Sequence, residues 1–232
     1  MAEGMVRERL NLYYLLDASG SMAGDRIQQL NTVMPELKTE LAEAAIENNV
    51  EIVIRVIQFG IKSQADWHEG KPAQGTKIEN FIWTDLEADG GTPTTSAINK
   101  LITGLDPEYL GKRALRPVII LVTDGGCTEN GYKEACQRLA SAIKGNTTRI
   151  AIGVEGAEKS ELIEFASEGV IGDVKKPLVF EVSDANMMKE VIRWASVVSI
   201  ASSSKMSAGG NQSNAPELSP EGLDEIEDIW IE

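Results

Sequence analysis

Short apolar runs alternate along this chain with segments in which apolar residues recur every three or four positions. The run LNLYYLLD (10–17) has the length and composition of a strand buried on both faces. From Arg26 to Asn48 the apolar residues Ile27, Leu30, Val33, Met34, Leu37, Leu41, Ala44 and Ala45 fall three or four apart, the spacing of one helix face. Pro35 interrupts that pattern and predicts either a kink or a helix that starts near it. VEIVIRVIQFG (50–60) is a second strand, rich in β-branched residues and closed by Gly60. Residues 61–80 are polar and carry Gly70, Pro72 and Gly75, and IENFIWT (78–84) then predicts a short antiparallel strand.

The second half repeats the alternation. TPTTSAINKLITGL (92–105) opens with helix-capping residues and continues as a helix, and RPVIILVTDGG (116–126) is the clearest buried strand. Helix, strand and helix follow as YKEACQRLASAIK (132–144), TRIAIGV (148–154) and EKSELIEFASEG (158–169). LVFEV (178–182) and ANMMKEVIRWASVVSIA (185–201) are the last strand and helix. The fold class predicted is α/β: a doubly wound, mostly parallel sheet with helices on both faces and one antiparallel edge strand. In such sheets ligands bind at the carboxyl ends of the strands. Asp17 and Asp124 each end a strand and so share that rim.

Composition changes after residue 201. We expect one domain over 1–201, then a Ser/Gly/Pro-rich linker and an acidic-hydrophobic tail over 202–232. From 201 onward seven acidic residues stand against Lys205 alone, close to half of the chain's net charge of −14. The tail also holds Ile226, Ile229, Trp230 and Ile231, which leaves two readings open, a solvated spacer or a docking peptide for a partner or for this fold.

That acidic balance disfavours nucleic acid and membrane surfaces as partners and favours cations and basic protein patches. No apolar run approaches the roughly 20 residues of a membrane span, and the first residues lack an apolar leader core, so a cytoplasmic location is expected. The two cysteines, Cys127 and Cys136, read as reduced thiols. The single histidine, His68, sits in a polar stretch and reads as exposed and without a role. With one histidine, a Cys/His zinc site and a histidine-based triad are both disfavoured.

What remains is oxygen chemistry at the rim. Asp17, Ser19 and Ser21 alternate in DASGS, so three oxygens converge on one side of an extended loop. Hydroxyl and carboxylate oxygens suit Mg²⁺, Mn²⁺ or Ca²⁺. Asp124 in TDG offers a second carboxylate, and GGT (90–92) offers Thr92 behind two glycines, with Thr94 and Thr95 as further threonines of TPTT. Together DASGS, GGT and TDG resemble the metal-ion-dependent adhesion site of the von Willebrand factor type A domain, over roughly residues 8 to 200.

Within that family YYLLDASGSMAG is most similar to the bacterial TerY-like proteins of tellurite-resistance and related stress clusters. The resemblance implies five metal-coordinating positions, Asp17, Ser19, Ser21, Thr92 and Asp124, with Mg²⁺ as cofactor. It implies a non-enzymatic module whose cation is completed by a partner's Asp or Glu, the partner being a protein kinase or PP2C-type phosphatase of the same gene cluster. Two alternatives stand beside it. A Mg²⁺-dependent phosphatase of the haloacid dehalogenase kind also begins at a strand-end aspartate, but it needs a second acid where this chain has Ser19. A self-associating protein would place its own acidic tail on the metal.

Overall fold

The computed structural model describes residues 7–68, 74–171, 174–208 and 217–218. In chain order the elements are β1 Glu8–Asp17, α1 Asp25–Glu47, β2 Val50–Phe59, β3 Ala65–Trp67, β4 Thr76–Lys77, α2 Thr94–Gly104, α3 Pro107–Leu110 and β5 Val118–Thr123. There follow α4 Tyr132–Ser141, β6 Thr148–Val154, α5 Lys159–Phe165, β7 Glu168–Ile171, β8 Val174–Pro177, β9 Val179–Val182, α6 Ala185–Ala208 and β10 Glu217–Leu218.

The main sheet has the order β3-β2-β1-β5-β6-β9, with β4 also on β2. The strands from β2 to β9 are parallel, whereas β3 and β4 run antiparallel to β2. Alternation along β1 explains its apolar run over Leu12–Leu16, because successive side chains point to opposite faces and both faces are covered. Leu10, Leu12, Tyr14 and Leu16 pack with the buried residues of α1 and α6. Tyr13 and Leu15 pack with those of α2, α4 and α5. Tyr14 is fastened across this interface, its hydroxyl 2.7 Å from Ser196 Oγ of α6, while Ser196 donates to Ile192 O at 2.6 Å.

The α1 face buries the eight residues that the periodicity picks out. Pro35 lies inside this helix, on its solvent side, and neither starts nor ends it. The sheet edge differs from expectation: the antiparallel strands are Ala65–Trp67 and Thr76–Lys77, and no strand forms over 78–84. Ile78 and Phe81 are buried three apart while Ile82 is 67% exposed, so the segment opens as a 3₁₀ turn instead of alternating. Asn31 of α1 then holds it, donating to Leu86 O and accepting from Leu86 N and Trp83 Nε1.

His68 also departs from expectation. It is buried, its Nδ1 lies 2.6 Å from Gln58 Oε1, and its ring stacks on Trp83 at 4.5 Å. The helix expected over 158–169 stops at Phe165, and Glu168–Ile171 instead starts an antiparallel hairpin with Val174–Pro177. The last helix continues to Ala208, with Ser202 and Ser203 buried, and β10 pairs parallel with β7. Residues 209–216 and 219–232, on which most of the linker and tail reading falls, lie outside the described residues. Both cysteines are free thiols, and burial pushes that of Cys136 up to about 12. Among the described residues no helix is long and apolar enough to cross a membrane.

Candidate metal centre at the strand rim

β1 and β5 are neighbours, and the chain leaves them toward opposite edges of the sheet, β1 to β2 and β5 to β6. The crevice at such a reversal point opens at the carboxyl ends of the strands. Three loops meet there through their backbones. Ala18 N donates to Phe59 O at 2.6 Å, Asp89 N to Ala18 O at 2.9 Å, and Gly20 N to Gly90 O at 3.0 Å. Gly60 (φ +127) and Gly90 (φ +76) make this approach feasible. A Cβ on Gly60 would stand 2.3 Å from the Ala18 carbonyl carbon, and one on Gly90 2.3 Å from Gly60 O.

These contacts set the side chains. Asp17 has no exposed surface; its Oδ1 accepts from Ser19 N at 2.8 Å and its Oδ2 from Thr123 Oγ1 at 2.6 Å. Ser19 Oγ and Ser21 Oγ are 3.0 Å apart, and Ser21 Oγ donates to Asp124 Oδ1 at 2.7 Å. Four of the five sequence-predicted residues therefore form one continuous chain of contacts, its last link joining Ser21 to a residue 103 positions away. Thr92 is buried beside them, its hydroxyl facing the backbone of Gly125, where a Cβ would stand 3.5 Å from Thr92 Oγ1. Its loop is latched by Thr92 N donating to Thr128 Oγ1 at 3.2 Å and Thr128 N donating to Thr92 O at 3.0 Å. The other two threonines turn elsewhere, Thr94 Oγ1 toward Thr92 O and Thr95 Oγ1 to Cys127 Sγ at 3.3 Å.

Two contributors were not foreseen. Thr123 orients Asp17 from the end of β5. Arg26, at the start of α1, pairs through Nη1 with Asp124 Oδ2, and its Nη2 donates to Glu155 O at 3.1 Å. Glu155 also borders an open cleft at the ends of β6 and β9 that includes Ala157, Glu181, Ser183 and Met187.

Electrostatics make Asp17 costly as it stands. Burial pushes its carboxyl up to about 6, hydrogen bonds from Thr123 and Ser19 pull it back, and the charge of Asp124 pushes it further up. A bound cation would remove that cost. The donor set comprises two carboxylates and three hydroxyls, all hard oxygens, and so fits Mg²⁺, Mn²⁺ or Ca²⁺ rather than a thiophilic ion. Among the described residues no group of three or more His, Cys, Asp or Glu side chains could hold a metal, so any site here depends on the hydroxyls.

The family described as von Willebrand factor type A domain matches residues 11–194, well over half of the chain. None of the curated proteins matches it. Among solved structures, a von Willebrand factor type A protein from Catenulispora acidiphila has a TM-score of 0.57 at 20% identity, covering 84% of this chain and 43% of that one. Proximal thread matrix protein 1 from the mussel byssus gives 0.57 at 17% identity, covering 84% of this chain and 47% of that one. The pilus adhesin SpaC from Lactobacillus rhamnosus GG gives 0.60 at 12% identity, covering 84% and 31% respectively. At these identities the likeness is one of fold, and this chain spans less than half the length of each.

Proposed function

The chain belongs to the von Willebrand factor type A family, and from that premise we propose that it is a metal-dependent protein-binding module. Domains of this family are commonly interaction or adhesion modules, and the observation that carries the metal reading is the convergence of Asp17, Ser19, Ser21, Thr92 and Asp124 on one rim. In this reading Ser19, Ser21 and Thr92 supply neutral oxygens, and Asp17 and Asp124 supply the balancing charge. A bound Mg²⁺, or Mn²⁺ or Ca²⁺, would supply an electrophilic centre for a carboxylate from a partner.

The chain's own part is to hold these oxygens in place before the cation arrives. Thr123 and the Ser19 amide fix both oxygens of Asp17, and the Gly60–Gly90 contact fixes the loops that carry Ser19 and Thr92. The likeness of YYLLDASGSMAG to TerY-like proteins supports a role as cytoplasmic scaffold in a bacterial stress-response complex. A kinase or PP2C-type phosphatase encoded nearby would be its partner.

Calorimetric titration of Mg²⁺, Mn²⁺ and Ca²⁺ into metal-free protein tests the metal reading. Saturable one-to-one binding by wild type, lost in Asp17→Ala with the circular dichroism spectrum unchanged, is the expected result. Equal binding by both proteins, or by neither, would end it.

A further inference from the structure

Arg26 is the feature of the rim that the family resemblance leaves unassigned. Its guanidinium pairs with Asp124 Oδ2 and donates to Glu155 O, while Ser21 already occupies Asp124 Oδ1. The Asp124 side chain has no exposed surface and that of Arg26 is 28% exposed, so the guanidinium stands between the carboxylate and solvent. The Glu155 carboxylate lies 3.9 Å away and is 76% exposed, so solvent screens most of its effect.

From this placement we propose that Arg26 is a second anchor for the incoming carboxylate, and that it strengthens the mutual dependence of metal binding and carboxylate binding; the proposal rests on the metal reading above. Without a metal, Arg26 offsets the buried Asp124. A divalent cation would balance Asp17 and Asp124 by itself, leaving the fixed charge of Arg26 beside it as a repulsive neighbour. Arg26 and the cation therefore compete for Asp124 when nothing else is bound.

An arriving carboxylate changes that balance. It restores neutrality, and a guanidinium freed from Asp124 presents a planar fork of N–H donors that matches its two oxygens. The same carboxylate thus meets the metal and Arg26 together. By linkage, each of metal and carboxylate then raises the affinity of the other by the same factor. A lysine could supply the charge but not the fork.

The test uses the full chain, Mn²⁺ and sodium acetate, with sodium chloride at equal ionic strength as reference. Mn²⁺ affinity is measured calorimetrically for wild type, Arg26→Gln and Arg26→Lys. In wild type, acetate should tighten Mn²⁺ by a factor within the usual allosteric range of about 5- to 150-fold. In Arg26→Gln, Mn²⁺ should bind more tightly than in wild type without acetate, and the acetate factor should fall clearly below the wild-type value, to the part that the metal–carboxylate bond carries alone. Arg26→Lys should keep the wild-type affinity in chloride and show a smaller acetate factor than wild type, and it decides the matter if the glutamine variant does not fold. If either the chloride affinity or the acetate factor of Arg26→Gln stays at the wild-type value, the proposal fails while the metal reading survives. If no variant and no wild type binds Mn²⁺, both fall together.

Discussion

Asp17 is a fully buried carboxyl at the rim whose folded-state pKa is pushed up to about 6 from an ordinary 3.8. Between those two values the folded chain holds a proton that the unfolded chain has released, so this group costs stability as pH rises through the window. Above pH 6 the cost is on the order of 3 kcal/mol in metal-free protein. Denaturant titrations of wild type and Asp17→Ala should therefore show their difference moving in favour of the variant by that order between pH 4 and pH 7. A difference that does not change with pH would contradict the account. Gly60 gives a second prediction at this scale. With φ at +127 and no room for a Cβ, Gly60→Ala should destabilise by about 3 kcal/mol or more, read as a fall in the thermal midpoint.

Residues of the rim differ in how visible they are in the chain. Asp17, Ser19 and Ser21 announce themselves because alternation brings their oxygens to one side, and Asp124 because it ends a strongly apolar strand. Arg26 does not, since a charged residue in the first turn of a helix reads as a solvated position. Its partner lies 98 residues away, a juxtaposition created only when β1 and β5 pair. His68 is obscured for a related reason: the polar residues around it hide a ring that stacks on Trp83.

At the scale of elements, the two helical layers depend on a few cross-links that can be cut singly. The Tyr14 hydroxyl joins β1 to α6, and burial raises its pKa far out of the titrating range. Tyr14→Phe removes that link but leaves Ser196 bonded to Ile192 O, so the cost should be only about 0.5–1.5 kcal/mol by chemical denaturation. Pro35 should behave in the opposite sense. It sits within α1 on the exposed side, lacks the N–H the helix would use, and is predicted to lower stability there. Replacement by alanine should stabilise the protein by about 2 kcal/mol, the helix-interior penalty of proline less the unfolded-state entropy it removes.

Long elements with a clear period were legible, as the match of α1 to its eight apolar residues shows. Short ones were not. Ile78, Phe81, Ile82 and Trp83 resemble a short β-rich strand when only seven residues are in view. The hairpin at 168–177 is hidden because Glu168 and Gly169 continue the polar face of the preceding helix. Serines 202 and 203 look like linker, yet both are buried within α6.

For the whole molecule, the sheet places the candidate site at its reversal point, and the acidic balance favours cations and basic surfaces there. The chain carries −14 overall, with seven acidic residues beyond Ala208. If a partner completes the site, a chain ending after Ala208 should bind Mn²⁺ with the same affinity as the full chain, measured at matched ionic strength. A clear change in affinity would point instead to the tail's own carboxylates acting on the rim.

The most direct test of the central claim is the position of the cation itself. Crystals grown with Mn²⁺, measured above and below its absorption edge, should show one anomalous peak within bonding distance of Ser19 Oγ and Ser21 Oγ and beside Asp17, Thr92 and Asp124. That peak should be absent from Asp17→Ala crystals. A fully ordered rim at saturating Mn²⁺ with no peak among these five residues, or with the peak elsewhere, would contradict the account.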